Sequence, residues 1–214
     1  MPPRSDVQIQ DRQGDGVARA GRWLFRHRTW LPLPIVIALL IIPGSAPSPA
    51  FMAVGVAIVL AGEAVRLWAV QHIGVISRTR SDRLGPLVRT GPFGLVRNPL
   101  YIGNLLLWIG FAISAGMWWF VPVIVLVLGA EYHAIVRWEE GLLDERLGDS
   151  YRRYKEDVGR WLPKGRQSSV ASHKPGASPS PPFSWGETVF SERGTLIAIA
   201  VGYGLLWVKF AVSG

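Results

Sequence analysis

Cysteine is absent from all 214 residues, which excludes disulfide frameworks, structural zinc, iron–sulfur clusters and thiol nucleophiles together. Charge is scarce as well. Asp, Glu, Lys and Arg make up 18% of the chain, against about a quarter in ordinary soluble domains. What fills their place is apolar: 49% of residues are hydrophobic, ten are tryptophan, and the mean hydropathy is +0.25. Such a chain is too apolar for a water-soluble domain of this size, and its length permits one domain. The net charge of +8 would ordinarily suggest nucleic acid, so the placement of the charges decides the matter.

The charges fall in blocks. Six Lys and Arg lie in residues 1–30, five in 71–98 and nine in 137–175, and only Arg66, Arg193 and Lys209 lie elsewhere. Between the blocks run apolar stretches over 30–42, 51–70, 100–114, 118–136 and 195–212. A membrane-spanning helix takes about 20 apolar residues, which the second, fourth and fifth stretches supply directly. The first and third reach it with their flanks, Trp23 to Phe25 and Gly116 to Met117. The connections 43–50 and 114–117 carry no charge. Because Lys and Arg of short loops stay on the cytoplasmic side, the pattern predicts two helical hairpins, 31–70 and 100–136, with every basic block on one face. The expected fold is therefore all-α and multi-pass, with about five transmembrane helices and a cytoplasmic helical segment.

The organisation expected is a basic cytoplasmic segment over 1–30, a membrane body over 31–163, a Ser/Pro-rich linker over 164–190 and an extra transmembrane helix over 191–214. Residues 166–185 are dominated by Ser, Pro, Gly and Ala and cannot bury a core. The N-terminal stretch mimics a signal peptide, but a 30-residue leader with three Asp is unlike the usual short one. A positive face divided among membrane loops is no nucleic-acid footprint, and the positive residues serve as topology determinants and headgroup contacts. The Arg-to-Lys ratio of 19 to 4, with abundant Trp, Gly and Pro, suits GC-rich coding and a bacterial plasma membrane.

Ionisable residues inside a span are costly and mark candidate sites. Glu63 and Arg66, three residues apart, share one helical face and can neutralise each other; they settle helix packing or touch a substrate headgroup. Glu131 and His133 lie near the cytoplasmic end of their helix, where snorkelling makes them cheap. A denser cluster sits at the mouth of the third stretch, where 91–103 reads GPFGLVRNPLYIG. Asn98 suits a helix N-cap and Pro99 the first helical position. Arg97, Tyr101, Gly103 and the preceding Gly91 and Pro92 add a polar ring and sites of close backbone approach. A helix N-terminus also suits an anionic group such as a cofactor carboxylate. The hairpin brings this mouth to the membrane face where the fourth helix emerges as Arg137-Trp138-Glu139-Glu140. Paired carboxylates there can bind a cation, hold a metal or supply a base, or can simply be a solvated helix end.

Taken together, the two segments resemble the isoprenylcysteine carboxyl methyltransferases and the related phospholipid methyltransferases, which are integral membrane enzymes. The resemblance runs from about residue 55 to Pro163. It consists of a Gly-Pro-aromatic turn (Gly91, Pro92, Phe93), an Arg-His/Asn-Pro-x-Tyr-x-Gly segment (Arg97 to Gly103), the pair Glu139 and Glu140, a Leu-Gly-x-x-Tyr-x-x-Tyr tail (Leu147 to Tyr154), and Arg160-Trp161-Leu162-Pro163. It implies S-adenosylmethionine as cofactor, bound at the cytoplasmic interface by Arg97, Asn98, Tyr101, Gly103, Glu139 and Glu140, with Leu87 and Val88 beside the adenine. Arg97, Glu139 and Glu140 are the implied catalytic residues. Asn98 departs from the prenylcysteine pattern, which has His there, and that removes an imidazole-dependent proton transfer.

The implied reaction is in-line methyl transfer from a sulfonium to a lipid or prenylated acceptor, resting on positioning and desolvation and needing no metal. A carboxylate acceptor needs no base, and Arg97, Arg137 or Arg160 would orient it; an amine acceptor needs one, and Glu139 or Glu140 would serve. Two alternatives stay open: a non-catalytic scaffold or small transporter built on Glu63 and Arg66, and a sterol-reductase-like enzyme using NADPH.

Overall fold

The computed structural model describes residues 16–28, 30–43, 46–74, 87–164 and 183–213. The basic residues of 1–15, Arg78, Arg80 and Arg83, and the Ser/Pro-rich linker over 165–182 lie outside the described residues. Among the described residues seven α-helices follow in chain order: α1 Gly16–His27, α2 Leu33–Ile41, α3 Pro49–Ile73, α4 Pro99–Ser114, α5 Val121–Leu147, α6 Asp149–Asp157 and α7 Trp185–Ser213. Among the described residues there is no strand, only a single parallel bridge between Val96 and Gly159.

Among the described residues three helices are long and apolar enough to cross a membrane: α3, α5 with the short turn before it, and α7. With these helices the protein is an integral membrane protein. At 1.5 Å per residue α5 is about 40 Å long, more than the ~30 Å of hydrocarbon it must cross. Its last turns, which carry Arg137, Glu139 and Glu140, therefore extend into the interface. The shorter α4, 16 residues, spans about 24 Å.

Helix boundaries follow local chemistry. Ser48 caps α3, its hydroxyl accepting from the Phe51 amide at 3.4 Å, and Pro49 occupies the first turn. At the start of α7 the Ser184 hydroxyl accepts from the Glu187 amide at 3.3 Å while the Glu187 carboxylate accepts from the Ser184 amide at 2.9 Å. This is a reciprocal capping box, and it starts α7 at Trp185, inside the stretch assigned from composition to the linker. A second difference concerns the first apolar stretch. It is no continuous span: α1 ends at His27 and α2 covers nine residues, about 14 Å. Pro32 and Pro34 interrupt it, since proline removes an amide donor and biases the residue before it away from helix.

The body is built on close approach of α3 and α4. Gly55 and Gly62 of α3 face Gly110 and Gly103 of the antiparallel α4: a Cβ at Gly110 would lie 2.6 Å from the Gly55 carbonyl oxygen, and one at Gly62 would lie 2.8 Å from the Gly103 carbonyl oxygen. Small residues at a seven-residue spacing let two backbones touch where lipid offers no hydrophobic drive to bring helices together. Because the obstacle at Gly110 is backbone, Gly110→Ala is expected to lower stability by ~1–3 kcal/mol. Gly129→Ala, where nothing lies within 4 Å of the added methyl, is expected to leave the melting temperature in detergent unchanged or raised.

Helix α7 runs antiparallel to α3. The Phe183 amide donates to the Gln71 carbonyl at 2.9 Å at one end. Near the other, Tyr203 and Ser114 share a hydrogen bond of 3.1 Å, and Lys209 donates to the carbonyls of Leu39 and Ile42 at 2.7 and 2.9 Å, closing the C-terminus of α2. The end of α3, the start of α4, the end of α5 and the start of α7 thus share one end of the bundle, as the two-hairpin reading of α3 to α5 requires.

About two turns in from this end Arg66 joins three helices. It lies 3.6 Å from Glu63, and it donates to Asn104 of α4 and, within α7, to Glu192 at 2.5 Å and Thr195 at 3.0 Å. The sequence pair Glu63–Arg66 is thus part of a larger buried network. Glu131 is also buried, whereas His133 faces outward.

Candidate active site

The site forms where the chain returns to the bundle end twice, over 87–98 and over 158–164. The Gly91–Gly94 turn is 3-10 helical, and Gly91 has φ +58°. A side chain there would be strained, and its Cβ would meet the His72 ring at 2.5 Å, so glycine alone fits. The turn is held from below: the buried Tyr154 hydroxyl donates to the Phe93 carbonyl at 2.7 Å, and Arg89 donates to the Ser150 carbonyl. Tyr151, Tyr154 and Val158 form a small core against which Leu87, Leu143 and Leu147 pack. Burial pushes the Tyr151 and Tyr154 phenols above their usual range, so both remain neutral donors.

The returning segments then meet. The Arg97 amide donates to the Gly159 carbonyl at 2.8 Å, and the Asn98 side chain donates to the Arg160 carbonyl at 3.3 Å. Asn98 occupies the N-cap position but makes no side-chain cap; its amide is spent on the neighbouring segment instead. This corrects the cap expected from sequence. Asn98 consequently offers the first amides of α4 no side-chain acceptor.

Both arginines of these segments converge on Glu140. Arg160 grips its carboxylate with two parallel bonds, Nε to Oε1 at 3.1 Å and Nη2 to Oε2 at 2.6 Å, and Arg97 Nη2 stands 3.2 Å from Oε1. The bond to Glu140 holds the Arg160 guanidinium above its ordinary pKa, outweighing the effect of burial. Fork geometry of this kind fixes position as well as charge. Glu140 therefore ties the end of α5 to both returning segments. Its neighbour Glu139 does something different: it accepts from the Tyr101 hydroxyl at 3.1 Å, and Tyr101 packs on Tyr132 with ring centroids 5.0 Å apart.

The candidate residues therefore separate. Arg97, Asn98, Tyr101, Glu139 and Glu140 gather at the bundle end, and Leu87 joins them through the tyrosine core; Val88 lies half-buried beside it. Gly103 lies against α3, where a Cβ would fall 2.5 Å from Arg66 Cγ. Arg160 takes a larger share than its sequence position suggested, and Arg137 is exposed. One participant carried no motif at all: Arg28, at the end of α1, lies close enough to act electrostatically on Tyr101 and Glu139. Only the docking of α1 on α5 reveals it.

Comparison with known sequences meets this geometry directly. The phospholipid methyltransferase family profile matches residues 50–150, from α3 to the start of α6. Residues 50–150 belong to that family. A Haemophilus influenzae protein of uncharacterised function is 40% identical over 63 residues, 29% of this chain and 79% of its own. The nickel-cobalt-cadmium resistance protein NccN of Alcaligenes xylosoxydans xylosoxydans is 28% identical over 141 residues, 61% of this chain and 63% of that one. The cobalt-zinc-cadmium resistance protein CzcN of Cupriavidus metallidurans is 28% identical over 148 residues, 65% and 66% respectively. The chain thus spans slightly less than two thirds of the length of the two resistance proteins. No solved structure matches. The phospholipid methyltransferase match covers Arg97 to Glu140 and stops short of Arg160 and α7, so the second arm of the Glu140 clamp lies beyond it.

Proposed function

We propose that this protein transfers a methyl group from S-adenosylmethionine to a membrane-embedded amphiphile at the cytoplasmic face of a bacterial plasma membrane. The observation that carries the reading is the Glu140 clamp set beside the uncapped N-terminus of α4. The residues suit the cofactor. The free amides at the start of α4 match a carboxylate, the Tyr101-bound Glu139 carboxylate offers an acceptor to an ammonium or hydroxyl group, and Leu87 supplies apolar cover.

S-adenosylmethionine supplies an activated methyl group on a sulfonium. The chain's own residues supply position: Glu140 with Arg97 and Arg160 makes the returning segments one rigid floor, and Tyr101 fixes the Glu139 carboxylate. In-line transfer gains most from such placement and from exclusion of water. A carboxylate acceptor, prenylcysteine-like, would use the arginines; an amine headgroup would give its proton to Glu139, whose oxygens are less committed than those of Glu140.

Calorimetry in detergent is expected to show binding of S-adenosylhomocysteine and none of NADPH. Heat with NADPH alone would turn the assignment to a reductase, and silence with both would leave a scaffold. Lipid extracts of cells with and without the protein, given labelled methyl donor, are expected to differ in one labelled lipid class.

A further inference from the structure

A line of side-chain contacts leads from the buried Arg66 network to the candidate site. Arg66 donates from Nη1 to Asn104 of α4 and from Nη2 to Glu192 and Thr195 of α7. Gly103 leaves room for its stem, since a Cβ there would lie 2.5 Å from Arg66 Cγ and 3.4 Å from Cδ. The two ends of an asparagine amide are opposite in character, one an acceptor and the other a pair of donors. Arg66 has only donors, so it takes the Asn104 oxygen and thereby decides where the NH2 group points. The Asn104 side chain in turn hydrogen-bonds the Tyr132 hydroxyl of α5.

Four side chains then interlock between α4 and α5. Tyr101 and Asn104 stand three residues apart on α4, and Tyr132 and Glu139 seven apart on α5, spacings that put each pair on one helix face. Asn104 holds the Tyr132 hydroxyl, the Tyr132 ring packs on Tyr101 with centroids 5.0 Å apart, and the Tyr101 hydroxyl donates to Glu139 at 3.1 Å. The place of the Tyr101 ring, and with it the direction of its bond to Glu139, therefore depends on Tyr132, which Asn104 ties at the far end.

We propose that Arg66 is a positioning residue of the candidate site, acting through Asn104, Tyr132 and Tyr101 on the Glu139 carboxylate, and that Glu192 and Thr195 thereby build α7 into the site. Helix α7 lies wholly beyond residues 50–150, so both of these anchors stand outside the body that the family profile matches. The relay itself stands on side-chain contacts; its effect on cofactor binding rests on the methyl-transfer reading. A chain of contacts transmits position only where its members are energetically coupled, and combined substitutions measure that coupling.

The triple variant Arg66→Leu, Glu63→Gln, Glu192→Gln separates positioning from stability. It removes the charges of the network together, so the melting temperature of the whole protein in detergent should lie near that of wild type, but no guanidinium remains to orient Asn104. Its S-adenosylhomocysteine affinity, read by calorimetry, is expected to stay about 3–10-fold below wild type, the worth of one hydrogen bond. Tyr132→Phe deletes only the hydroxyl that Asn104 holds; it should give a similar loss with little change in melting temperature, and should cost nothing further when added to the triple variant. A merely structural Arg66 predicts instead that affinity returns with stability in the triple variant, and that Tyr132→Phe binds as wild type does; either result overturns the relay. If the triple variant does not regain its stability, Tyr132→Phe decides. Fluorine NMR reads the same relay without cofactor: meta-fluorotyrosine in place of Tyr101 is expected to shift its resonance in Asn104→Leu and in the triple variant, and a resonance unmoved in either overturns the proposal. If the resonance shifts but wild type binds no S-adenosylhomocysteine, the methyl-transfer reading fails while the relay stands.

Discussion

Glu140→Ala is expected to destabilise the protein by ~3 kcal/mol, the lower end of the range for opening a buried ion pair, because Arg160 is partly exposed and its share is screened. Arg97 and Glu140 keep only 10% of their side-chain surface exposed, against 30% for Arg160. Losing the carboxylate leaves the Arg97 charge buried without its anion and frees residues 158–164 from the end of α5. Thermal unfolding in detergent gives the first readout and S-adenosylhomocysteine affinity the second, which should fall by more than about tenfold if the clamp forms the cofactor floor. Glu140→Gln keeps an acceptor for Arg160 and should lose less stability than Ala. An alanine variant with unchanged melting temperature and affinity would show that the two arginines find other partners.

Arg66→Leu is expected to do comparable damage for the opposite reason. It would leave two carboxylates, Glu63 at 5% and Glu192 at 7% exposure, facing each other inside the bundle with no cation between them. Removing one partner of a buried charge network costs ~3–5 kcal/mol, whereas removing all of its charges together can be nearly neutral. The triple variant Arg66→Leu, Glu63→Gln, Glu192→Gln should therefore recover most of the melting temperature lost by the single change. The measurement also reports on α7, since Glu192 and Thr195 are its polar contacts with Arg66. Limited proteolysis near residues 183–190 should speed up in the single variant and return toward wild type in the triple. Equal losses in both would mean that α7 is held by its apolar face and by the Phe183, Tyr203 and Lys209 contacts without help from Arg66.

Much of the architecture could be read from residue type and spacing. The charge blocks fixed which ends of α3, α4 and α5 lie together, because the cost of moving Lys and Arg through lipid outweighs any local preference. Gly91, Pro99 and the Glu pair announced the site because each is tied to a backbone or ionic requirement that few other residues meet. Local rules also contained signals that composition obscured: Ser184 and Glu187 spell a capping box at the edge of a stretch otherwise rich in Ser and Pro, and Pro32 with Pro34 forbids the continuous first span that hydropathy invites.

What the sequence by itself determined is the membrane class, the shared bundle end of α3, α4 and α5 and the cluster of Arg97, Tyr101, Glu139 and Glu140. Only the tertiary structure decided how the charges are shared. It gave Glu140 to Arg97 and Arg160 together, turned Asn98 from a cap into a tie, sent Gly103 to the α3 contact, drew Glu192 to Arg66 across 126 residues and brought the Arg28 charge within electrostatic reach of Glu139. The physical reason is that hydropathy, capping and helix periodicity act within a few residues. Ion pairing in a low-dielectric interior is set instead by which side chains the packed helices bring within a few ångströms, whatever their separation along the chain.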